Sequence, residues 1–397
     1  MKIAHVIRRL SFNDWGGAEQ VVWNLAKAQQ AAGHEVRVFA TEALCNVRQE
    51  TREGLEVKRF PRIYPWLPMP EELKLQLDLK GGNPLVPGLG KELREWGAEV
   101  IHCHAMGRIS ELCIRTGEKT GAKVVVHLHG GAARIPREEE MELRDPTRYL
   151  WPWGKAAEIL LRLNRRVPED ADGIICVGED EAEHWSESHP HVLFLPNGVN
   201  CGLFEGGREA KREAFPDGFT VVCVARIDRQ KDQMALVEAL GRHPGMRVRL
   251  VGPVTQPDYL EELRARAASV GAEGRLEAVG ALPSDSAELA AEYRRADAFV
   301  LPSRHEPFGI AVLEAWASGT PVAASTAGGM GRLLARHPEA ALSFAPGDAA
   351  GLDAALERLE TDPEWRKSAA EAGKTAAKRY EWGALAAELL DFYRSLG

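Results

Sequence analysis

Short apolar runs alternate with longer amphipathic ones through the first half of the chain, the pattern of a mostly parallel sheet with helices on both faces. Lys2–Ile7, Glu35–Ala40, Val100–Cys103, Lys123–Leu128 and Gly173–Val177 read as strands. Between the first two, Ala18–Ala31 reads as a helix stopped by Gly33. The pattern restarts at Phe219–Val224, continues through Arg247–Val251 and Leu276–Val279, and reaches Ala298–Leu301. Two doubly wound α/β domains are therefore predicted. The seam falls at Leu195-Pro196-Asn197-Gly198-Val199, where proline, asparagine and glycine punctuate the chain after the strand-like Val192–Phe194. Trp382–Leu396 has the periodicity of an amphipathic helix. Residues 134–170 are the least regular part of the first half and hold a further helical stretch, Ala156–Arg166.

Composition narrows the class. A chain of 397 residues exceeds one ordinary core, and 45% hydrophobic with 27% charged residues suits a globular enzyme. A net charge of -8 offers nucleic acid no overall attraction. Cys45, Cys103, Cys113, Cys176, Cys201 and Cys223 form no CxxC pair, and several lie in apolar runs, which predicts reduced thiols in a cytoplasmic protein. The opening MKIAHVIRRL reads as too short and too soon basic for a signal peptide, and no apolar run has membrane-spanning length.

The densest chemistry lies in His305–Trp316, HEPFGIAVLEAW, directly after the Ala298–Leu301 strand. Open α/β sheets bind ligands at the carboxyl ends of their strands, and a helix beginning near Phe308 would offer amide hydrogens to a phosphate. Glu306 precedes that turn and Glu314 lies within the helix, so an anion site is flanked by two hydroxyl-binding carboxylates. After the Phe219–Val224 strand comes Arg226-Ile227-Asp228-Arg229-Gln230-Lys231, whose planar Arg226 fork and compact Lys231 charge suit a diphosphate, although a solvated loop also explains the charges. Gly16-Gly17, between the first strand and helix, permits close backbone approach but lacks the G-x-G-x-x-G spacing. His102 with His104, and His127 with His129, each alternate onto one face of a strand end. A metal site is conceivable there, but hydrogen-bonding roles are favoured because no carboxylate accompanies them. Asp170-Ala171-Asp172 is the only Asp-x-Asp, and capping or solvation accounts for it.

Taken together, Glu306-x7-Glu314 with Phe308-Gly309-Ile310, Arg226 with Lys231, Gly16-Gly17-Ala18-Glu19, Pro196-Asn197-Gly198-Val199 and Gly319-Thr320-Pro321-Val322 resemble the retaining GT-B glycosyltransferases of family 4, over nearly the whole chain. The resemblance implies two Rossmann-like domains facing across a cleft. Residues 1–196 with a terminal helix from 380–397 would form the acceptor-side domain, and 197–379 the nucleotide-sugar domain. It implies that Glu306 binds donor-sugar hydroxyls, Glu314 the ribose, and Arg226 and Lys231 the diphosphate, aided by the backbone of Phe308, Gly309 and Ile310. Gly16 and Gly17 would close over the phosphates, with His129 near the donor sugar, and His104 and His129 on the acceptor side. The donor would be a UDP-, GDP- or other nucleotide sugar and the acceptor a hydroxyl of a glycan, glycolipid or small molecule. Front-face attack without a metal cofactor is expected, with Glu306, Arg226, Lys231 and His129 as the catalytic set. Two departures stand out. Met330-Gly331-Arg332 follows Gly328-Gly329 where many relatives carry a glutamate, and Tyr64–Gly90 matches no family pattern.

A nucleotide-sugar epimerase and a non-catalytic nucleotide-sugar-binding protein are the competing readings. The intact cation pair and both glutamates argue against the latter, and the former has no positive support. Arg148, Trp151, Trp153, Lys155, Arg162, Arg165 and Arg166 mix aromatic and basic character as interfacial segments do, which raises peripheral attachment to the inner face of a membrane. A helix packed on the sheet through Ile159, Leu160 and Leu163 is the favoured account of the same residues.

Overall fold

A computed structural model describes residues 1–12, 16–64, 69–129, 167–206 and 218–397. The chain divides into two compact units, Met1–Pro196 with Gly383–Gly397, and Asn197–Trp382. Residues 148 and 151–166, which carry the aromatic and basic run, and the Ala156–Arg166 stretch lie outside the described residues.

The first unit contains an eight-stranded sheet built from β1 (Lys2–Arg9), β2 (Glu35–Thr41), β3 (Gln49–Arg52), β4 (Leu55–Phe60), β5 (Val100–Cys103), β6 (Lys123–Leu128), β7 (Gly173–Cys176) and β8 (Val192–Phe194). Its order is β3-β4-β2-β1-β5-β6-β7-β8. Only β3 pairs antiparallel, as the outer strand of a hairpin with β4. The sequence reading missed this hairpin because β3, Gln-Glu-Thr-Arg, is polar and the alternation of β4, Leu-Glu-Val-Lys-Arg-Phe, is short, although Leu55, Val57 and Phe60 are buried. The central strands are apolar and buried, as both faces of a parallel sheet require. The Gly17–Ala31 helix ends where Gly33 adopts φ +87°, and the amides of Ala32, Gly33 and His34 return to carbonyls of its last turn.

The second unit contains β9 (Phe219–Val224), β10 (Met246–Val251), β11 (Leu276–Gly280), β12 (Ala298–Leu301), β13 (Val322–Ser325) and β14 (Ala341–Phe344) in the all-parallel order β11-β10-β9-β12-β13-β14. This is the Rossmann strand order, with the order of successive strands across the sheet reversing between β9 and β12. Val222, Leu250, Phe299, Val300 and Trp316 are fully buried at its centre, and the Trp316 indole donates to the Ala340 carbonyl at 3.0 Å.

The helix Trp382–Ser395 packs on the first unit. Leu385, Leu389 and Tyr393 are buried, and Gly173 of β7 sits so close to Phe392 that a Cβ there would lie 2.8 Å from its ring. The contact boundary falls after Trp382 because Tyr380 and Glu381 stay tied to the second unit. The Tyr380 carbonyl accepts from the Val199 amide at 2.8 Å, and the Glu381 carboxylate from the Cys201 amide at 2.8 Å. All six cysteines are free thiols, five of them buried.

Candidate active site

Each sheet carries its chemistry at the switch point. In the second unit the loops after β9 and β12 meet there. Asp228, 4% exposed, bends the first of them. Its Oδ1 accepts from the Gln230 and Lys231 amides at 3.1 and 3.3 Å, while its Oδ2 lies 3.2 Å from Arg226 Nη1. That turn directs Lys231 inward, and its Nζ donates to Glu306 Oε2 at 2.9 Å. The side chains of this pair are 11% and 16% exposed, whereas Arg226 is 52% exposed and remains open to an incoming anion. Arg304 fastens the two loops together, its amide donating to the Gln230 carbonyl at 2.8 Å and its side chain pairing with Asp232 at 3.0 Å.

The turn after Glu306 runs through Gly309, whose φ of +96° is left-handed, and the helix starts at Ile310 rather than near Phe308. Among the described residues no side chain caps this helix, and the Val312 amide returns to the Gly309 carbonyl at 2.9 Å, so the Ile310 and Ala311 amides and the positive dipole end are left for an anion. Phe308 is 6% exposed and its ring packs edge-on against Tyr380 at 6.3 Å, so only its backbone can serve a ligand. Beneath the turn lies the Gly328-Gly329 pair. A Cβ at position 329 would sit 2.0 Å from the Pro307 carbonyl oxygen, so glycine there is a condition of the loop's position.

Glu314 is 6% exposed and accepts a hydrogen bond from the Tyr293 hydroxyl at 2.6 Å. Burial pushes its carboxyl up to about 8, the Tyr293 bond opposes the rise, and Asp285 adds to it. At neutral pH the unliganded protein thus holds a protonated acid at the position from which a ribose-binding carboxylate is expected.

In the first unit, β1 and β5 flank the corresponding switch, and five histidines converge on it. His5 on β1 is the register partner of His102 on β5. His5 Nδ1 lies 2.9 Å from His104 Nε2, His104 Nδ1 lies 3.0 Å from His129 Nε2, and His102 Nε2 lies 3.1 Å from His127 Nδ1. The rings stack, with centroids 4.0 Å apart for His102 and His104 and 4.4 Å for His127 and His129. Burial lowers His5 and His129 to about 4 and the other three well below the usual imidazole range, so the rings are neutral. Two triads, His5–His102–His104 and His104–His127–His129, bring one nitrogen per ring within 4.8 Å, a spacing that could hold a transition metal. Gly16 and Gly17 open the helix after β1, where Glu19 pairs with Arg9 at 2.9 Å. Asp172 is engaged structurally, its carboxylate accepting from the Val124 amide at 2.8 Å.

The second unit therefore assembles Arg226, Lys231, Glu306, the Gly309–Ile310 turn and Glu314, and the first assembles His104 and His129. Sequence reasoning missed Asp228, Tyr293, His5, Gln29 and Tyr393. Asp228 had a signal, an aspartate placed to cap the turn that carries Lys231. His5 is a polar residue in an apolar strand, whereas Gln29, Tyr293 and Tyr393 lie in helices among other polar residues, and only the fold shows what they touch.

Family models match along the chain: Glycosyltransferase Family 4 over residues 15–203 and Glycosyl transferases group 1 over residues 208–378. A D-inositol 3-phosphate glycosyltransferase of Acidothermus cellulolyticus is 32% identical over 417 residues, covering 96% of this chain and 86% of the relative. The chain belongs to the group 1 glycosyl transferases. It is thus an enzyme that transfers a glycosyl group from a nucleotide sugar, and its two parallel-sheet domains are those of the GT-B fold. Sucrose-phosphate synthase from Thermosynechococcus elongatus shares that fold with a TM-score of 0.73 at 22% identity, over 100% of this chain and 98% of the other. So does HepE from Anabaena, solved with UDP and glucose, with a TM-score of 0.70 at 18% identity over the whole of both chains. Among the described residues no helix is long and apolar enough to cross a membrane.

Proposed function

We propose that this glycosyltransferase moves a hexose from a nucleoside diphosphate sugar to an acceptor hydroxyl with retention at the anomeric carbon, by front-face attack and without a metal cofactor. The observation that carries the reading is the Lys231–Glu306 pair at 2.9 Å, set beside the uncapped start of the Ile310 helix at a topological switch point. The departing diphosphate gathers negative charge in the transition state. Lys231, Arg226 and the helix amides supply fixed positive charge for it, so no divalent ion is required for that task. Glu306 accepts from hydroxyls of the donor sugar and steers Lys231, while Glu314 accepts from the ribose. A UDP-sugar is the first donor to try, since the neighbour from Anabaena was solved with UDP and glucose.

The acceptor oxygen attacks on the face from which the diphosphate leaves, and the leaving phosphate oxygen takes the acceptor proton. Retention then needs no enzyme nucleophile beneath the ring. The test combines a donor panel with product analysis by NMR in the presence of a chelator. The proposal expects an axial donor to give an axial product at undiminished rate. An inverted product, or turnover abolished by chelation and restored by a divalent ion, refutes it.

A further inference from the structure

A buried hydrogen-bond tree in the first unit branches from one amide. Gln29 is 0% exposed on the Gly17–Ala31 helix, with its Oε1 2.7 Å from His5 Nε2 and its Nε2 3.4 Å from the Tyr393 hydroxyl. Beyond these, one branch runs His5, His104, His129 and the other runs Tyr393, His102, His127, with the Tyr393 hydroxyl 2.6 Å from His102 Nδ1. Gln29 and Tyr393 arrive from separate helices, far apart in sequence.

The direction of every proton follows from the amide. A carbonyl oxygen only accepts and an NH2 only donates, while a neutral imidazole has one N–H and one lone pair. His5 must therefore donate from Nε2 to Gln29, which leaves its Nδ1 to accept from His104 Nε2–H. His104 Nδ1 then accepts from His129 Nε2–H, and the branch ends with a lone pair on His129 Nδ1. His129 is also the one member of the five that is only half-buried. On the other branch the Gln29 NH2 donates to the Tyr393 oxygen, Tyr393 donates to His102 Nδ1, and His102 Nε2–H donates to His127 Nδ1. That branch ends on His127 Nε2–H, which is buried and has no hydrogen-bond partner among the described residues.

We propose that Gln29 is a positioning residue that, through His5 and His104, holds His129 in its Nε2–H tautomer, with a lone pair presented at Nδ1. The tree holds a tautomer and does not conduct a proton. A proton arriving at Nδ1 would have to be handed inward to the Gln29 carbonyl, which is too weak a base to hold it. An imidazole in this state accepts from a hydroxyl and offers nothing to an anionic oxygen. The consequence for catalysis rests on the transfer reading above, whereas the tautomers do not.

The experiment is a long-range 1H–15N correlation on the full chain with labelled histidine at neutral pH. The expected spectrum shows five neutral Nε2–H rings, with His129 Nδ1 unprotonated. In Gln29→Leu, the Nδ1–H form of His129 should become detectable, and kcat should fall several-fold with donor KM unchanged. Tyr393→Phe cuts only the second branch, so His102 and His127 should lose their single tautomer while His129 keeps its own. This variant decides the matter if Gln29→Leu does not fold. An Nδ1–H tautomer at His129 in the wild type, as a reversed amide would give, overturns the proposal. So does an unchanged His129 in Gln29→Leu, a perturbed His129 in Tyr393→Phe, or a metal retained by the array in place of the shared protons. A wild-type protein that transfers no sugar but shows the expected spectrum would defeat the transfer reading and leave the tree standing.

Discussion

Replacing Glu314 with glutamine removes an ionisable group while keeping an acceptor for the Tyr293 hydroxyl, 2.6 Å away. Burial raises this carboxyl from 4.5 to about 8, so the folded protein binds a proton that the unfolded chain releases in between. The sign follows from that difference. A raised folded-state value contributes stability that is fully present below pH 4.5 and is lost as pH rises towards 8. Working the linkage through these two values gives a loss of roughly 3 kcal/mol between about pH 5 and about pH 8, as an order of magnitude. Glu314→Gln should lack this loss. The two proteins should have similar stability near pH 5, and the variant should be the more stable one at pH 8. Urea unfolding across that range, followed through the buried Trp316, measures it. Parallel stability curves for the two proteins would mean that Glu314 is ionised in the fold and would refute the reasoning. The same proton bears on function. If ribose hydroxyls need the ionised carboxylate, donor affinity should weaken by roughly tenfold per pH unit below 8, and Glu314→Gln should bind weakly at every pH.

Lys231→Ala should lower turnover by roughly 10²–10³-fold, because one electrostatic donor to the developing charge is removed. Comparable kcat in the two proteins would exclude Lys231 from that role. In unfolding experiments Lys231→Met should cost about 1–3 kcal/mol, less than the loss of a partner in a fully buried pair, and adding Glu306→Gln should recover part of it. Purely additive single and double variants would show that the pair is not coupled. Acid should destabilise the first unit. His5 and His129 titrate near 4 in the fold, so the unfolded chain takes up protons first, and stability present above pH 6.5 is lost as pH falls towards 4. Denaturation midpoints should drop across that window, with a shallower slope in His5→Gln, and an unchanged slope would contradict burial of a neutral ring. Gly329→Ala should cost about 1–3 kcal/mol by forcing the Glu306 loop from its seat, and should weaken donor binding by calorimetry. Wild-type affinity in that variant would mean that the loop's position is irrelevant to the donor.

The sheets were legible because their strands are apolar on both faces: Ala298–Leu301 and Phe219–Val224 allow no other economical reading. The β3–β4 hairpin was not, since its outer strand, Gln-Glu-Thr-Arg, is largely exposed and carries no apolar signal. The same contrast divides the site. Glu306, Lys231 and Gly309 were legible as candidates because they follow β9 and β12 directly, at strand ends where an open α/β sheet binds ligands. Glu314 was located, but its protonation depends on Tyr293, which is separated from it by a strand and a turn and carries no mark of its own. The histidine array shows the limit most clearly. His102, His104, His127 and His129 announce themselves as alternating pairs, yet the pairs alone leave the direction of their protons open. That direction is decided at Gln29, a residue within a helix whose neighbours in sequence are ordinary. One buried amide, with a carbonyl on one branch and an NH2 on the other, gives each branch its sense. The information is in the sequence as a single glutamine, and it becomes readable only when β1, β5, β6 and the terminal helix bring their side chains to it.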